Sequence, residues 1–244
     1  AMKAEEKSQL NIFLDTVYSW AGEIPVGVCA CQPMPIFTDD DEKTFELNNN
    51  EDSSSKTLDN IVSKIINCNR CSLCSTRKNV VPGMGVNNPL VMVIGEAPGA
   101  EEDEQGLPFV GAAGQLLDKM LIAIQLDRNT NCYIANILKC RPPKNRDPYP
   151  EEADACRSFL DAQIQILRPK MLLTMGRIAT QNLLKTNQGI NQLRGNFFLF
   201  ISITVMPTYH PSALLRDNSL KRFAWEDLKA FRTKLNNILA EISN

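Results

Sequence analysis

No stretch of 18 or more apolar residues occurs among the 244, so nothing in the sequence reads as a transmembrane helix. Also missing is a charged start followed by an apolar stretch and a small-residue cleavage site. That leaves no sign of a secretory signal and sets the expectation of a cytoplasmic protein. Histidine is nearly absent, His210 being the only one. It stands in no recognisable nucleophile setting, which removes Ser/His/Asp catalysis as a serious reading. No Walker-type phosphate loop occurs. What is present, 43% hydrophobic and 22% charged residues, suits one globular domain with an extension. Ala1 ahead of Met2 reads as a cloning remnant.

Cysteine, by contrast, is plentiful, with eight in the chain. In a reducing compartment disulfides are disfavoured, so metal ligation or burial is the better reading. The net charge of −2 speaks against a nucleic-acid partner until its distribution is considered. Residues 1–57 carry 4 Lys/Arg and 11 Asp/Glu, a net of −7; of the totals of 26 and 28, that leaves 22 and 17 in residues 58–244, a net of +5. The body is basic and the acidity sits in the extension, so electrostatics permits DNA as a partner.

The extension, residues 1–57, opens with Leu10, Phe13, Leu14, Val17 and Tyr18 at helical spacing, which predicts a short amphipathic helix over 7–19. It could cover the main domain or dock a repair or replication protein. Residues 32–56, with Pro33, Pro35, Asp39–Glu42 and Ser53–Ser55, cannot bury a core and read as a flexible linker. Cys29 and Cys31 just before it have no partner pair nearby and read as ordinary residues.

From residue 58 to 244, strand and helix signals alternate. Strands are expected at Leu90–Ile94, Tyr133–Leu138, Met171–Met175 and, as a strand or hairpin arm, Phe197–Val205. Helices are expected near Gly114, from Pro150, around Arg177–Leu184, and finally after a capping Ser219. The pattern implies a three-layer α/β/α sandwich around a short, mainly parallel central sheet. Ligands bind such sheets beyond the carboxyl ends of their strands. Three strand-end loops carry unusual residues there: Gly95–Asp103, Asn136–Arg146 and Met206–Arg216.

Cys68 and Cys71 form a CxxC pair, and Cys140 and Cys156 can close a four-thiolate site from a loop and a helix. Such a set fits tetrahedral zinc or an iron–sulfur cluster, and spacing does not choose between them. Cys74 extends the motif to CxxCxxC and reads as a neighbour.

Gly95-Glu96-Ala97-Pro98-Gly99, then Glu102-Asp103 and Gly106-Leu107-Pro108-Phe109-Val110-Gly111, resembles the first motif of the family 4 uracil-DNA glycosylases. Tyr133 through Asn136 to Cys140-Arg141-Pro142-Pro143, with Asn145-Arg146, is similar to the second, and His210-Pro211-Ser212-Ala213-Leu214-Leu215-Arg216 to the last. The likeness spans roughly residues 58–240. It implies a monofunctional DNA-repair enzyme, expected as a monomer, that extrudes uracil from DNA and hydrolyses its glycosidic bond to leave an abasic site. It also implies a [4Fe-4S] cluster on Cys68, Cys71, Cys140 and Cys156, structural in role.

Under that resemblance Gly95, Glu96, Ala97, Phe109, Asn136 and His210 bind the flipped base. Phe109 is the aromatic platform. The Asn136 amide can accept from uracil N3–H and donate to O4, a polarity that cytosine would meet wrongly. The departing base is an anion, and His210 would hydrogen-bond its O2; such a preorganised donor is worth on the order of 10²–10³ in rate. The sequence departs from family 1 enzymes, where the third position of the first motif is an Asp general base; here it is Ala97. Glu96 is the first candidate for positioning water or supporting the cationic sugar, and Glu102 the second. The tyrosine that excludes thymine in family 1 is replaced by Gly99. Leu214, with Leu215 beside it, is the candidate wedge for the gap left by the base. Lys139, Arg141, Lys144, Arg146 and Arg216 are candidates for phosphate contacts. The alternatives are a same-fold glycosylase for another deaminated base such as hypoxanthine, and a non-catalytic iron–sulfur DNA-binding protein.

Overall fold

The computed structural model describes residues 54–243. The expected amphipathic helix at 7–19, Cys29, Cys31 and most of the linker lie outside them. Six strands form one sheet: β1 (Met84–Gly85), β2 (Val91–Gly95), β3 (Cys132–Asn136), β4 (Met171–Met175), β5 (Phe198–Phe200) and β6 (Ile203–Thr208). The order is β1-β3-β2-β4-β6-β5. The four central strands are parallel, with Val91 opposite Cys132 and Met171, and Met171 opposite Thr204; β1 and β5 are antiparallel edges. Every residue of β2, β3 and β4 is buried, as strands covered on both faces require.

The helices are α1 (Ser54–Ile66), α2 (Ala100–Gln105), α3 (Ala112–Ala123), α4 (Pro150–Leu167), α5 (Gly176–Leu184), α6 (Ile190–Leu193), α7 (Pro211–Arg216) and α8 (Leu220–Ser243). One apolar layer joins Val91, Val93 and Leu173 of the sheet to Leu117 and Leu121 of α3 and Leu228 and Phe231 of α8. The opposite layer joins Met92, Ile94 and Leu172 to Leu58 of α1, Leu160 and Ile164 of α4 and Leu183 of α5. The three-layer α/β/α sandwich expected from the sequence is present. Among the described residues no helix is long and apolar enough to cross a membrane.

Local signals account for most boundaries. α4 starts with Pro150 at its first turn, and the Glu152 carboxylate accepts from the Tyr149 N–H at 2.9 Å. The expected strand Phe197–Val205 is a hairpin, β5 to β6, turned by Ile201 and Ser202 at φ 47° and 64°. The strand expected to run to Leu138 leaves the ladder at Asn136. Ile137 and Leu138 still donate to the carbonyls of Gly95 and Glu96, at 2.9 and 3.0 Å, and so lock the exits of β3 and β2 together. α1 begins at Ser54, inside the stretch read as linker; its Leu58 and Val62 pack into the apolar layer on the sheet, and that burial overrides the polar run before them. Ser219 precedes α8, but its hydroxyl donates to Asp217 Oδ1 at 2.7 Å.

Candidate active site

The exits of β2, β3, β4 and β6 converge on one cavity of about 570 Å³. Its walls include Glu96 to Gly99 after β2, Asn136 at the end of β3, Gly176 and Arg177 after β4, and Tyr209 and His210 after β6. The imidazole and the amide singled out from the sequence therefore face the same space, together with Phe109 and Glu102.

Asn136 is 2% exposed, and its Oδ1 is buried without a hydrogen-bond partner. An orphaned acceptor of this kind is uncommon, because leaving it unmet costs on the order of 1–3 kcal/mol. Gly95 sits between this amide and the aromatic ring: a Cβ there would lie 2.3 Å from Asn136 Oδ1 and 2.6 Å from Phe109 Cζ. Only a residue without a side chain lets both groups approach the strand end.

Phe109 is 6% exposed and has φ of 52°, a left-handed conformation that a bulky residue adopts only under constraint. The constraint is visible on both sides of its loop. Glu102 Oε1 accepts from the N–H groups of Val110 and Gly111 at 2.9 and 3.0 Å, while its Oε2 accepts from Gly99 N–H at 3.0 Å. Arg128 donates to the carbonyls of Pro108 and Phe109 at 3.0 and 2.9 Å. Gly114 is required beneath, since a Cβ would come within 1.9 Å of the Phe109 carbonyl oxygen. Glu102 is thus committed to three backbone donors and braces the platform. This corrects its expected part in activating water; Asp103 is likewise buried, accepting from the Lys78 backbone N–H at 2.9 Å.

His210 caps α7. Its Nδ1 accepts from the Ser212 backbone N–H at 3.1 Å and lies 2.8 Å from Ser212 Oγ. An Nδ1 that accepts carries no proton, so in the neutral ring the hydrogen is on Nε2. Burial pushes the imidazole down to about 4, with Arg216 adding to the shift and Glu102 opposing it. Near pH 7 the group is a neutral Nε2–H donor. Its ring lies 5.6 Å from that of Phe109, centroid to centroid.

Glu96 lines the cavity partly exposed, and its carboxyl is pushed up to about 7, by burial first and then by Asp147, against a pull downward from Arg177. A carboxyl poised near the working pH is what a general base requires. Ala97 lines the same wall and contributes no acid or base.

The expected DNA contacts divide. Arg216 is exposed at the cavity, and Lys144 is exposed on the loop after β3. Arg141, partly exposed, donates to Asn145 Oδ1 at 2.8 Å. Arg146 lines the cavity but is bound to Glu152 at 2.8 and 2.7 Å and stacks 3.7 Å above the Tyr149 ring. Lys139 is a correction: it is 1% exposed, its Nζ donating to Asn136 O at 2.9 Å and Gln163 Oε1 at 2.7 Å, and so supports the strand end instead of meeting phosphate. Leu214 is another. It is fully buried in the core beneath α7, whereas Leu215, 49% exposed, is the apolar side chain turned outward. Helical geometry forces that split, since adjacent residues point about 100° apart.

Arg177 and Asp147 are cavity residues that sequence reasoning missed. Arg177 follows β4 directly, and the rule that strand ends carry the site applies to that loop as much as to the three chosen.

The fold holds a second, smaller cavity. Cys68, Cys71, Cys74, Cys140 and Cys156 line it with Arg70, Arg77 and Lys139. All five thiols are free, and Arg77 Nη1 donates to Cys140 Sγ at 3.2 Å. Burial raises the thiols of Cys71 and Cys156 and pushes that of Cys140 up to about 11. Among the described residues no three His, Cys, Asp or Glu side chains are arranged to hold a single metal ion.

A family model described as the uracil DNA glycosylase superfamily matches residues 82–229. A protein of Sulfurisphaera tokodaii named type-4 uracil-DNA glycosylase is 40% identical over 184 residues, covering 72% of this chain and 84% of that protein. One of Archaeoglobus fulgidus with the same name is 41% identical over 182 residues, 71% of this chain and 91% of that protein. A type-5 uracil-DNA glycosylase of Pyrobaculum aerophilum is 31% identical over 188 residues, covering 64% and 83%.

Proposed function

The chain belongs to the uracil DNA glycosylase superfamily, and from that premise we propose that it excises uracil from DNA by hydrolysing the N-glycosidic bond, leaving an abasic site. One observation carries the reading: a buried, unpartnered Asn136 Oδ1 shares a cavity with a neutral His210. Uracil supplies the missing donor, its N3–H, and a carbonyl at O4 for the amide N–H. Cytosine has an acceptor at N3 and would leave Asn136 Oδ1 facing a lone pair, a penalty that rejects it.

The base must leave the helix to reach this space. Phe109, held by Glu102 and Arg128, gives the extruded ring a flat surface. As the glycosidic bond lengthens, the sugar gains oxocarbenium character and negative charge gathers on uracil O2. His210 Nε2–H donates to that oxygen, and being already neutral and oriented by Ser212 it requires no reorganisation. Glu96, on the wall of the same cavity, takes the proton of the water that attacks the sugar and offers its charge to the cationic centre. Leu215 on α7 fills the gap in the base stack, and Arg216, Lys144 and Arg141 meet phosphates.

The donor set of the second cavity suits a [4Fe-4S] cluster. Five cysteines and no histidine line that cavity, an all-thiol donor set of the kind that iron–sulfur clusters take. Cys68, Cys71, Cys140 and Cys156 would hold it, with Arg77 directed at the Cys140 sulfur. When bound, it cross-links the segment before β1, the loop after Asn136 and α4.

A labelled oligonucleotide with a single uracil tests the activity. The protein should leave an alkali-labile site at that position and none in the matching thymine strand; DNA binding without any such site would make it a binding protein instead.

A further inference from the structure

Two charged side chains at the cavity mouth have no part in the chemistry above. Arg177 lies in the first turn of α5, and Asp147 sits in the loop between β3 and α4. They meet in an ion pair, Arg177 Nη2 to Asp147 Oδ2 at 2.6 Å, and Arg177 Nη1 reaches Gln181 Oε1 at 3.3 Å. Both line the cavity that Glu96 lines. The pair thus joins the exits of two separate strands, β3 and β4, at the cavity that holds the proposed water-activating carboxyl. The side chains are 48% and 61% exposed, and a pair so open adds little to fold stability. Its placement matters more than its strength.

We propose that Asp147 and Arg177 are positioning residues for Glu96, their opposed charges setting how readily its carboxylate accepts a proton from the attacking water. The inference rests on the assignment of Glu96 to water. It has electrostatic support, since Asp147 drives the Glu96 carboxyl upward and Arg177 drives it downward, both acting on a group already raised by burial. The other charged or titratable side chains of the cavity are engaged elsewhere. Glu102 is bound to three backbone N–H groups, Arg146 is paired with Glu152, Tyr209 donates its hydroxyl to Asn191 Oδ1 at 2.8 Å, and Arg216 acts on His210, which is neutral above about 4. Asp147 and Arg177 are therefore the charges through which the loops can tune Glu96 without touching the base.

Single-turnover excision with saturating uracil-containing DNA, followed from about pH 5 to about pH 9, tests this. Asp147→Asn should move the acid limb of the profile to lower pH and Arg177→Gln to higher pH. Each shift should be on the order of half a pH unit, the scale of one charge acting across a solvated pocket. The double variant should return toward the wild-type limb. A pair that only braced the loops would lower the rate and leave the limb in place, so an unmoved limb, or both variants shifting it the same way, overturns the proposal. Glu96→Gln separates the two layers of the reading. Loss of the limb in that variant upholds Glu96 whatever the pair does, and a limb retained in it removes Glu96 and the pair together.

Discussion

Replacing Gly95 by alanine tests how tightly the two readers of the base are set against the strand. The added methyl would lie 2.3 Å from Asn136 Oδ1 and 2.6 and 2.7 Å from two carbons of the Phe109 ring. Non-bonded contacts sit at about 3.5–4.0 Å, so the ring, the amide or both must retreat by roughly 1 Å. Gly95 does not have a left-handed backbone, so alanine meets no conformational penalty there, and overpacking at one strand end costs about 1–3 kcal/mol. The protein should fold. A 1 Å error in a catalytic constellation costs on the order of 10²-fold, which is the loss expected in kcat/KM. Excision kinetics should be measured beside thermal unfolding and visible absorption, with Gly189→Ala as the control, since nothing lies within 4 Å of a Cβ at that position. A folded, coloured Gly95→Ala enzyme working within about threefold of wild type, a loss below 1 kcal/mol, would refute the placement of Asn136 and Phe109 around the base.

His210→Ala should lose about 10²–10³ in single-turnover rate while keeping its visible absorption. Excision should decline as pH falls below about 7, where Glu96 takes up its proton, with no further break until His210 charges near 4. The same carboxyl affects stability in the opposite sense. The folded state keeps that proton up to about pH 7 while the unfolded chain releases it near 4.5, so stability falls as pH rises through this window. Glu96→Gln should therefore melt higher than wild type at pH 8 and match it below about pH 4.5, as thermal scans at the two pH values would show. Leu214→Ala should destabilise the fold by about 2–5 kcal/mol, whereas Leu215→Ala should melt like wild type and lose excision on duplex more than on single-stranded DNA. Cys140→Ala should lose both iron and folded protein, measured by metal analysis and circular dichroism.

The sheet was legible because β2 is a short, unbroken apolar run and β4 one interrupted only by Thr174, and burial on both faces leaves them no other pattern. The short helices α2 and α6 were not, since six and four residues are too few for helical periodicity to register. His210, Asn136 and Phe109 could be named because each sits in a motif at a strand exit, and the fold brings those exits together. What sequence could not supply was direction. Leu214 and Leu215 are chemically identical, and only the rotation of α7 decides which one faces water. Lys139 looks like any loop lysine until Asn136 O and Gln163 are seen to hold it. Glu102 and Glu96 lie six residues apart, yet three backbone donors claim the first and leave the second for the cavity. Such assignments depend on contacts between residues far apart in the chain.

The central claim is that the cavity tells uracil from cytosine by the hydrogen-bonding edge that meets Asn136, and releases uracil. Mass spectrometry of the free bases liberated from a set of duplexes, each carrying uracil, thymine, cytosine or hypoxanthine at the same position, puts that claim to its most direct test. The geometry around Asn136 and His210 calls for uracil in the supernatant and no cytosine, whose N3 and exocyclic amine meet the Asn136 amide in the wrong polarity. Release of hypoxanthine in its place, or of no base at all from a folded, iron-loaded protein, would contradict it.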